Sequence, residues 1–193
     1  TITMDKTYID ELLRYGERVT LECKKAEGGL PKSVWETYSA FANTNGGIII
    51  LGVEEDLSSD VWDARFHIIG VRNAEQIIKD FWNLVNSDKV STCILKDENV
   101  QAVDYSEDIK IVVIQVPQVS YNLRPVYING NVYKGTFKRN FEGDYHCEES
   151  EVKAMIRDAN EEGNDGIIIE YHTMDDIDIT TLKSYRNEFE NRN

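Results

Sequence analysis

The stretch Ser39-Ala40-Phe41-Ala42-Asn43-Thr44-Asn45-Gly46-Gly47-Ile48-Ile49-Ile50-Leu51-Gly52-Val53 narrows the possible folds more than any other part of the chain. Before it, Val34, Tyr38, Phe41 and Ala42 have the spacing of one packed helix face, and Pro31 stands where a first helical turn tolerates proline. Asn43 and Asn45 suit the fraying helix end, and Gly46-Gly47 open backbone angles that a Cβ makes costly. The chain therefore reverses and feeds a β-branched run into a sheet. Because that run is apolar on both faces, Ile48 to Val53 is predicted to be a central strand hydrogen-bonded on both sides, with Gly46-Gly47 outside regular structure. Glu54, Glu55 and Asp56 then emerge at its carboxyl end, where open sheets place their sites.

The rest of the chain supplies partners for such a strand. Tyr8, Ile9, Leu12 and Leu13 predict a short amphipathic helix ending near Gly16, and Val19 to Lys24 alternates as a half-buried strand. Phe66 to Val71 reads as a short strand. Ala74, Ile77, Ile78, Phe81, Trp82 and Val85 follow helical spacing, with Asn73 and Gln76 as a variant capping box. Val100 to Tyr105 and Ile109 to Val116 predict an antiparallel hairpin, and Asn129-Gly130 predicts a second one between Val126-Tyr127-Ile128 and Asn131-Val132-Tyr133. Val152, Met155, Ile156 and Ala159 mark a further helix. These elements make an α+β domain whose mixed, largely antiparallel sheet is flanked by helices.

With 193 residues and 41% hydrophobic content, there is enough chain for one ordinary domain and an appendage. Asn160 to Gly166 is the expected linker, after which Ile167-Ile168-Ile169 and a helix with Leu182, Tyr185 and Phe189 look like the start of another segment. Residues 1–159 and 160–193 are the expected division, with the second piece continuing in a longer protein. Cys23, Cys93 and Cys147 are odd in number and lack a CxxC pair, which argues against a disulfide framework or zinc site and fits a reducing cytoplasm. No apolar run approaches the roughly 18 residues of a membrane span, so no membrane partner is expected.

Net charge is −14, which ordinarily opposes binding of a polyanion. The acid is concentrated in the tail, since residues 1–139 carry 16 basic and 20 acidic side chains and residues 140–193 carry 5 and 15. Within the first part, Arg124, Lys134, Lys138 and Arg139 alternate with Tyr127, Tyr133 and Phe137. Such a strip suits a nucleic-acid backbone with Tyr127 or Tyr133 stacking on bases; the alternative is an ordinary solvated hairpin. Asn43, Gly46 and Gly47 either make a turn or bring backbone N–H groups to phosphate. Nothing matches a phosphate loop, a dinucleotide fingerprint, a nucleophile elbow or a zinc protease motif.

Glu17 with Glu22-Cys23-Lys24, then Ser39-Ala-Phe-Ala-Asn-Thr-Asn-Gly-Gly and Leu51-Gly-Val-Glu-Glu, resembles the Schlafen-type, AlbA-like nucleic-acid-binding domain found in bacterial regulators. The resemblance covers roughly residues 8–158. Arg124-Pro125-Val126-Tyr127-Ile128 and Tyr133-Lys134-Gly135-Thr136 look like the family's later strand pair, with Lys134-Gly135-Thr136 replacing its usual arginine-glycine-serine element. What this implies is a cytoplasmic nucleic-acid-binding module, DNA before RNA, in a transcriptional regulator with further domains and, as an open alternative, self-association.

The same resemblance implies a second reading. Family members that cut RNA use carboxylates with a divalent metal, and Glu17 and Glu22 match two of those glutamates, with Glu54 or Glu55 near the third acidic position. Glu17, Glu22 and Glu54 would then hold magnesium or manganese, with Lys24 as electrostatic support. Against this stand an exposed Glu22-Lys24 ion pair and a solvated Glu54-Glu55 strand end. A protein-interaction or sensor module, whose acidic tail docks a partner, is the third alternative.

Overall fold

The computed structural model describes residues 4–163. Helix α1 (Lys6–Tyr15) begins at Asp5, whose carboxylate accepts the Tyr8 N–H, and stops at Gly16. Strand β1 (Leu21–Lys24) leads through a glycine loop to α2 (Val34–Asn43), β2 (Gly47–Leu51) and β3 (Val53–Glu55). A helical turn, α3 (Trp62–Arg65), precedes β4 (Phe66–Ile68) and α4 (Ala74–Val85). The hairpin of β5 (Val100–Asp104) and β6 (Lys110–Val116) follows, then β7 (Phe137–Asn140), β8 (Gly143–His146) and α5 (Glu149–Gly163).

The main sheet has the order β1-β2-β6-β5, with β1 parallel to β2 and the other pairs antiparallel. β2 is central, as its two apolar faces require. Ile49 and Leu51 point into a core with Trp35 and Phe41 of α2 and Ile77 and Phe81 of α4. Ile50 points the other way, onto Ile9 and Leu13 of α1 and Val113 of β6. Trp35 and Phe81 stack with ring centroids 5.0 Å apart, which fixes α2 against α4. A third cluster joins Tyr127 and Val132 to Cys147, Val152 and Ile156, seating α5. The fold is α+β with a mixed, largely antiparallel sheet. No described helix is long and apolar enough to cross a membrane.

Several boundaries differ from the sequence expectation for local reasons. The central strand stops at Leu51 because Gly52 takes a φ of 105° and sends its N–H to the Lys24 carbonyl at 2.8 Å; Val53–Glu55 then pairs with β4 instead. Gly46 holds the left-handed angle, φ 71°, whereas Gly47 is the first residue of β2. Gly47 is there for space: a Cβ would lie 2.7 Å from the Phe41 ring. Val19 belongs to a short 3-10 turn, Arg18–Thr20, not to β1. Asn73 caps α4 by accepting the Gln76 N–H, but the Gln76 amide turns to Asp80, so only half of the capping box forms.

Asn129 and Gly130 both have positive φ, 59° and 67°, as a tight hairpin turn needs. The predicted ladder beyond them does not form. Asn131 Oδ1 accepts the N–H groups of Tyr133 and Lys134, which turns the chain again, and only isolated bridges join Tyr127 to Thr136 and Ile128 to Val90. Of the expected linker, Asn160–Gly163 is the end of α5; the remainder, with Ile167–Ile169 and the helix of Leu182, Tyr185 and Phe189, lies outside the described residues.

Candidate functional site

The carboxyl end of β1 and strand β3 border a cleft of about 260 Å³ lined by Arg18, Glu22, Lys25, Glu54, Glu55 and Glu142, with Cys23, Val53 and Leu57 as its apolar wall. Burial pushes the Cys23 thiol up to about 12, so it is an inert part of that wall. Alternation along β1 turns Glu22 toward the surface while Leu21 and Cys23 enter the core. Glu54, Glu55 and Glu22 are thus brought together as the sequence suggests, but most of their charge is already spent.

Glu55 is buried between two arginines. Arg65 donates from Nε to Oε1 at 2.9 Å and stands 2.8 Å away through Nη2, and Arg18 pairs with Oε2. Both guanidinium groups lie against the Phe66 ring, at 5.4 and 5.9 Å. Arg18 Nε and Nη1 have no hydrogen-bond partner, and burial pulls this guanidinium below its ordinary range. Glu22 pairs with Arg139 Nη1 at 2.7 Å, not with Lys24, whose ammonium goes to Ser33 Oγ at 3.1 Å. Glu54 is half exposed, 3.7 Å from Lys25. Glu17 lines a neighbouring recess with Arg18, Val19, Phe141 and Glu142 and is not part of the cleft.

This donor set does not fit a magnesium or manganese ion. Hard cations need several free carboxylate oxygens around one point, while Glu22 and Glu55 give theirs to guanidinium groups and Glu17 stands apart. Among the described residues no group of three or more acidic, histidine or cysteine side chains is placed to hold an ion.

The basic strip is likewise dispersed. Arg124 is buried, donates from Nε to the Val119 carbonyl at 3.2 Å and stacks on Tyr121. Tyr127 is fully buried and unavailable for stacking. Lys138 is tied to both oxygens of Glu151 at 2.9 Å. Arg139 is a buried hub: it holds Glu22 and Asp144, donates from Nη2 to the carbonyls of Arg18 and Leu21, and lies 5.0 Å from the Phe41 ring. Lys134 is the exposed member of the strip, with Tyr133 half-buried beside it. These side chains do not converge into one positive surface.

Asn43 is also structural. Its amide donates to the carbonyls of Val126 at 2.9 Å and Phe137 at 3.0 Å, and its oxygen accepts the Val126 N–H at 2.8 Å. One turn earlier on the same helix face, Ser39 Oγ donates to the Val126 carbonyl and accepts the Phe137 N–H. Together they clasp two distant segments to α2. Gly46 closes the helix with its N–H on the Phe41 carbonyl at 2.7 Å and packs so tightly against Val116 to Gln118 that a Cβ would stand 2.8 Å from backbone atoms. Neither Asn43 nor Gly46 is left open for phosphate.

Sequence reasoning passed over Arg18, Arg65, Phe141, Glu142 and Asp144. One signal was available: Phe137 and Arg139 are two apart on a strand, so an inward Phe137 forces Arg139 inward and demands carboxylate partners.

A mixed sheet with helices on both faces, a Ser-Asn clasp on its crossover helix and a charge-compensated cleft at the end of β1 make up one α+β domain. The chain belongs to the Schlafen, AlbA_2 family, whose model matches residues 17–148. A second model, for a domain of unknown function, matches residues 153–193. No curated protein matches the chain. The fold is similar to the solution NMR structure of the N-terminal domain of a Nitrosomonas europaea protein named Putative ATP-dependent DNA Helicase RecG-related Protein. The TM-score is 0.52 at 20% identity, over 89% of this chain and 98% of that one.

Proposed function

We propose that this chain is a nucleic-acid-binding module, DNA before RNA, working within a cytoplasmic transcriptional regulator that has further domains. The observation that carries the reading is the Schlafen, AlbA_2 match across residues 17–148, supported by a similar fold in a protein named for DNA helicase relatives. Burial of Arg124 and Arg139 moves the proposed contact surface to the turn between Asn129 and Lys134. There Lys134 is exposed, and Lys89 reaches Asn129 Oδ1 at 2.8 Å, so two cations flank one turn beside Tyr133. Binding is favoured over metal-assisted RNA cleavage because the carboxylates of the cleft are compensated by arginine.

Fluorescence anisotropy with labelled duplex DNA over a range of salt tests this reading. Affinity falls linearly on a log–log plot, and Lys89→Gln with Lys134→Gln flattens the slope by about two units, as expected at roughly 0.9 per phosphate contact. Absence of binding, or an unchanged slope in the double variant, overturns it. RNA incubated with magnesium or manganese stays intact in the wild type and in Glu54→Gln, a variant that leaves the Arg139 hub untouched.

A further inference from the structure

The two-residue turn of the β7–β8 hairpin is Phe141-Glu142, fixed by the pairing of Asn140 with Gly143. Of those two only Phe141 has a positive φ, 55°, the sign pattern of a turn whose first central position ordinarily belongs to glycine. An aromatic residue there carries backbone strain, and Phe141 as a residue is 79% exposed, so it gains little from burial. Two unfavourable choices at one position point to a role outside the fold.

The surroundings say what the ring is presented to. Phe141 lines a recess of about 420 Å³ with Val19, Arg18, Glu17 and Glu142, and this recess shares Arg18 and Glu142 with the main cleft, where Leu57 is 61% exposed. Arg18 and Arg65 are turned onto Glu55 and Arg65 Nη2 also stands 3.5 Å from Glu142, so five glutamates, Glu17, Glu22, Glu54, Glu55 and Glu142, face the four cations Arg18, Lys25, Arg65 and Arg139, and the carboxylates that reach solvent are those of Glu17, Glu54 and Glu142. A phosphate backbone would meet those carboxylates and be repelled. The chain's own acidic tail, with 5 basic and 15 acidic residues from 140 onward, is disfavoured for the same reason, as is a second copy at net charge −14.

We propose that the recess at the β7–β8 tip and the cleft that adjoins it at Arg18 and Glu142 form a docking site for a basic peptide segment of a partner protein, with Phe141 and Val19 of the recess and Leu57 of the cleft receiving apolar side chains and Glu17, Glu54 and Glu142 pairing with lysine or arginine. It is a protein-recognition surface separate from the Lys89 and Lys134 turn. Steering follows from charge and holding follows from the apolar contacts.

The test uses the full chain and a fluorescein-labelled peptide of lysine, arginine and leucine, with a glutamate-for-lysine version of the peptide and labelled single-stranded DNA as comparisons. The wild type binds the basic peptide in a salt-sensitive manner and does not bind the acidic one. Phe141→Gly, which removes the ring and suits the turn, weakens peptide binding about tenfold or more, and Glu142→Lys does the same, while neither changes DNA binding. No binding of the basic peptide, peptide binding indifferent to Phe141→Gly, or loss of DNA binding in that variant overturns the proposal; the last result would assign the ring to base stacking. Circular dichroism confirms that both variants remain folded.

Discussion

Arg139 Nη1 lies 2.7 Å from Glu22 and 2.9 Å from Asp144, so one buried guanidinium ties strand β1 to the β7–β8 hairpin. Its side chain is 1% exposed, and its other amino group spends both protons on the carbonyls of Arg18 and Leu21. Removing one partner of such a group leaves uncompensated charge in the interior. Arg139→Ala is expected to lower unfolding free energy in urea by about 3 kcal/mol or more, and Arg139→Lys, which cannot serve four acceptors in one plane, recovers only part of it. Exposed Lys134→Ala is expected to change stability by less than about 0.5 kcal/mol.

Asn43 serves three backbone groups of the segments around Val126 and Phe137. Asn43→Ala takes this partner from the Phe137 carbonyl and the Val126 N–H, while the Val126 carbonyl keeps Ser39 Oγ, and is expected to cost about 2 kcal/mol or more in thermal or urea unfolding. Asn43→Asp sets a carboxylate against two carbonyls and is expected to be at least as damaging. DNA affinity per folded molecule should not change; a selective loss of affinity at full stability would return Asn43 to a phosphate-binding role.

The hydrogen bond from Lys138 holds the Glu151 carboxyl below the usual carboxylate range, and Lys138 itself is raised by the same bond. The Glu151 contribution to stability is therefore present above its unfolded value and goes as pH falls through its lower folded value. The Lys138 contribution is present below the unfolded lysine value and goes as pH rises through its higher folded value. Both side chains are about a third exposed, 38% and 34%, so screening keeps the pair under about 1 kcal/mol. Glu151→Gln should lower the urea midpoint at neutral pH and have no effect once the medium is more acid than the folded carboxyl.

Burial pushes Cys23 up to about 12 and Cys147 up to about 11, whereas Cys93 is half-buried. Thiolate is the reactive form, so Cys93 is expected to take a thiol reagent first at neutral pH, with Cys23 and Cys147 modified only as the chain unfolds. Mass spectrometry of a labelling time course reads the order. Early modification of Cys23 would place the wall of the cleft closer to solvent than its burial indicates.

The sheet was legible because its signals are local. Ile48 to Leu51 is apolar on both faces and therefore central, and the alternation of Leu21 and Cys23 with Glu22 and Lys24 marks a strand covered on one side. The turn at Asn129-Gly130 was legible and its ladder was not, since Asn131 redirects the chain with a side-chain hydrogen bond. The site was harder because it depends on distant partners. Arg139 and Lys138 read as a ligand-binding strip until Glu22, Asp144 and Glu151 arrive from other elements to neutralise them. Glu22 and Lys24, neighbours on one strand, find different partners for the same reason.

The clasp made by Ser39 and Asn43 reaches residues 83 to 98 positions further along the chain. During synthesis, helix α2 leaves the ribosome with these polar side chains aimed at a backbone that has not yet been made. The helix is unable to take its final seat until Phe137 has emerged, so the long-range closure comes late and the apolar face of α2 waits exposed. A fragment ending just before that point therefore keeps the whole central strand and lacks the residues that lock α2 over it, and is expected to be cut by protease faster than the intact domain.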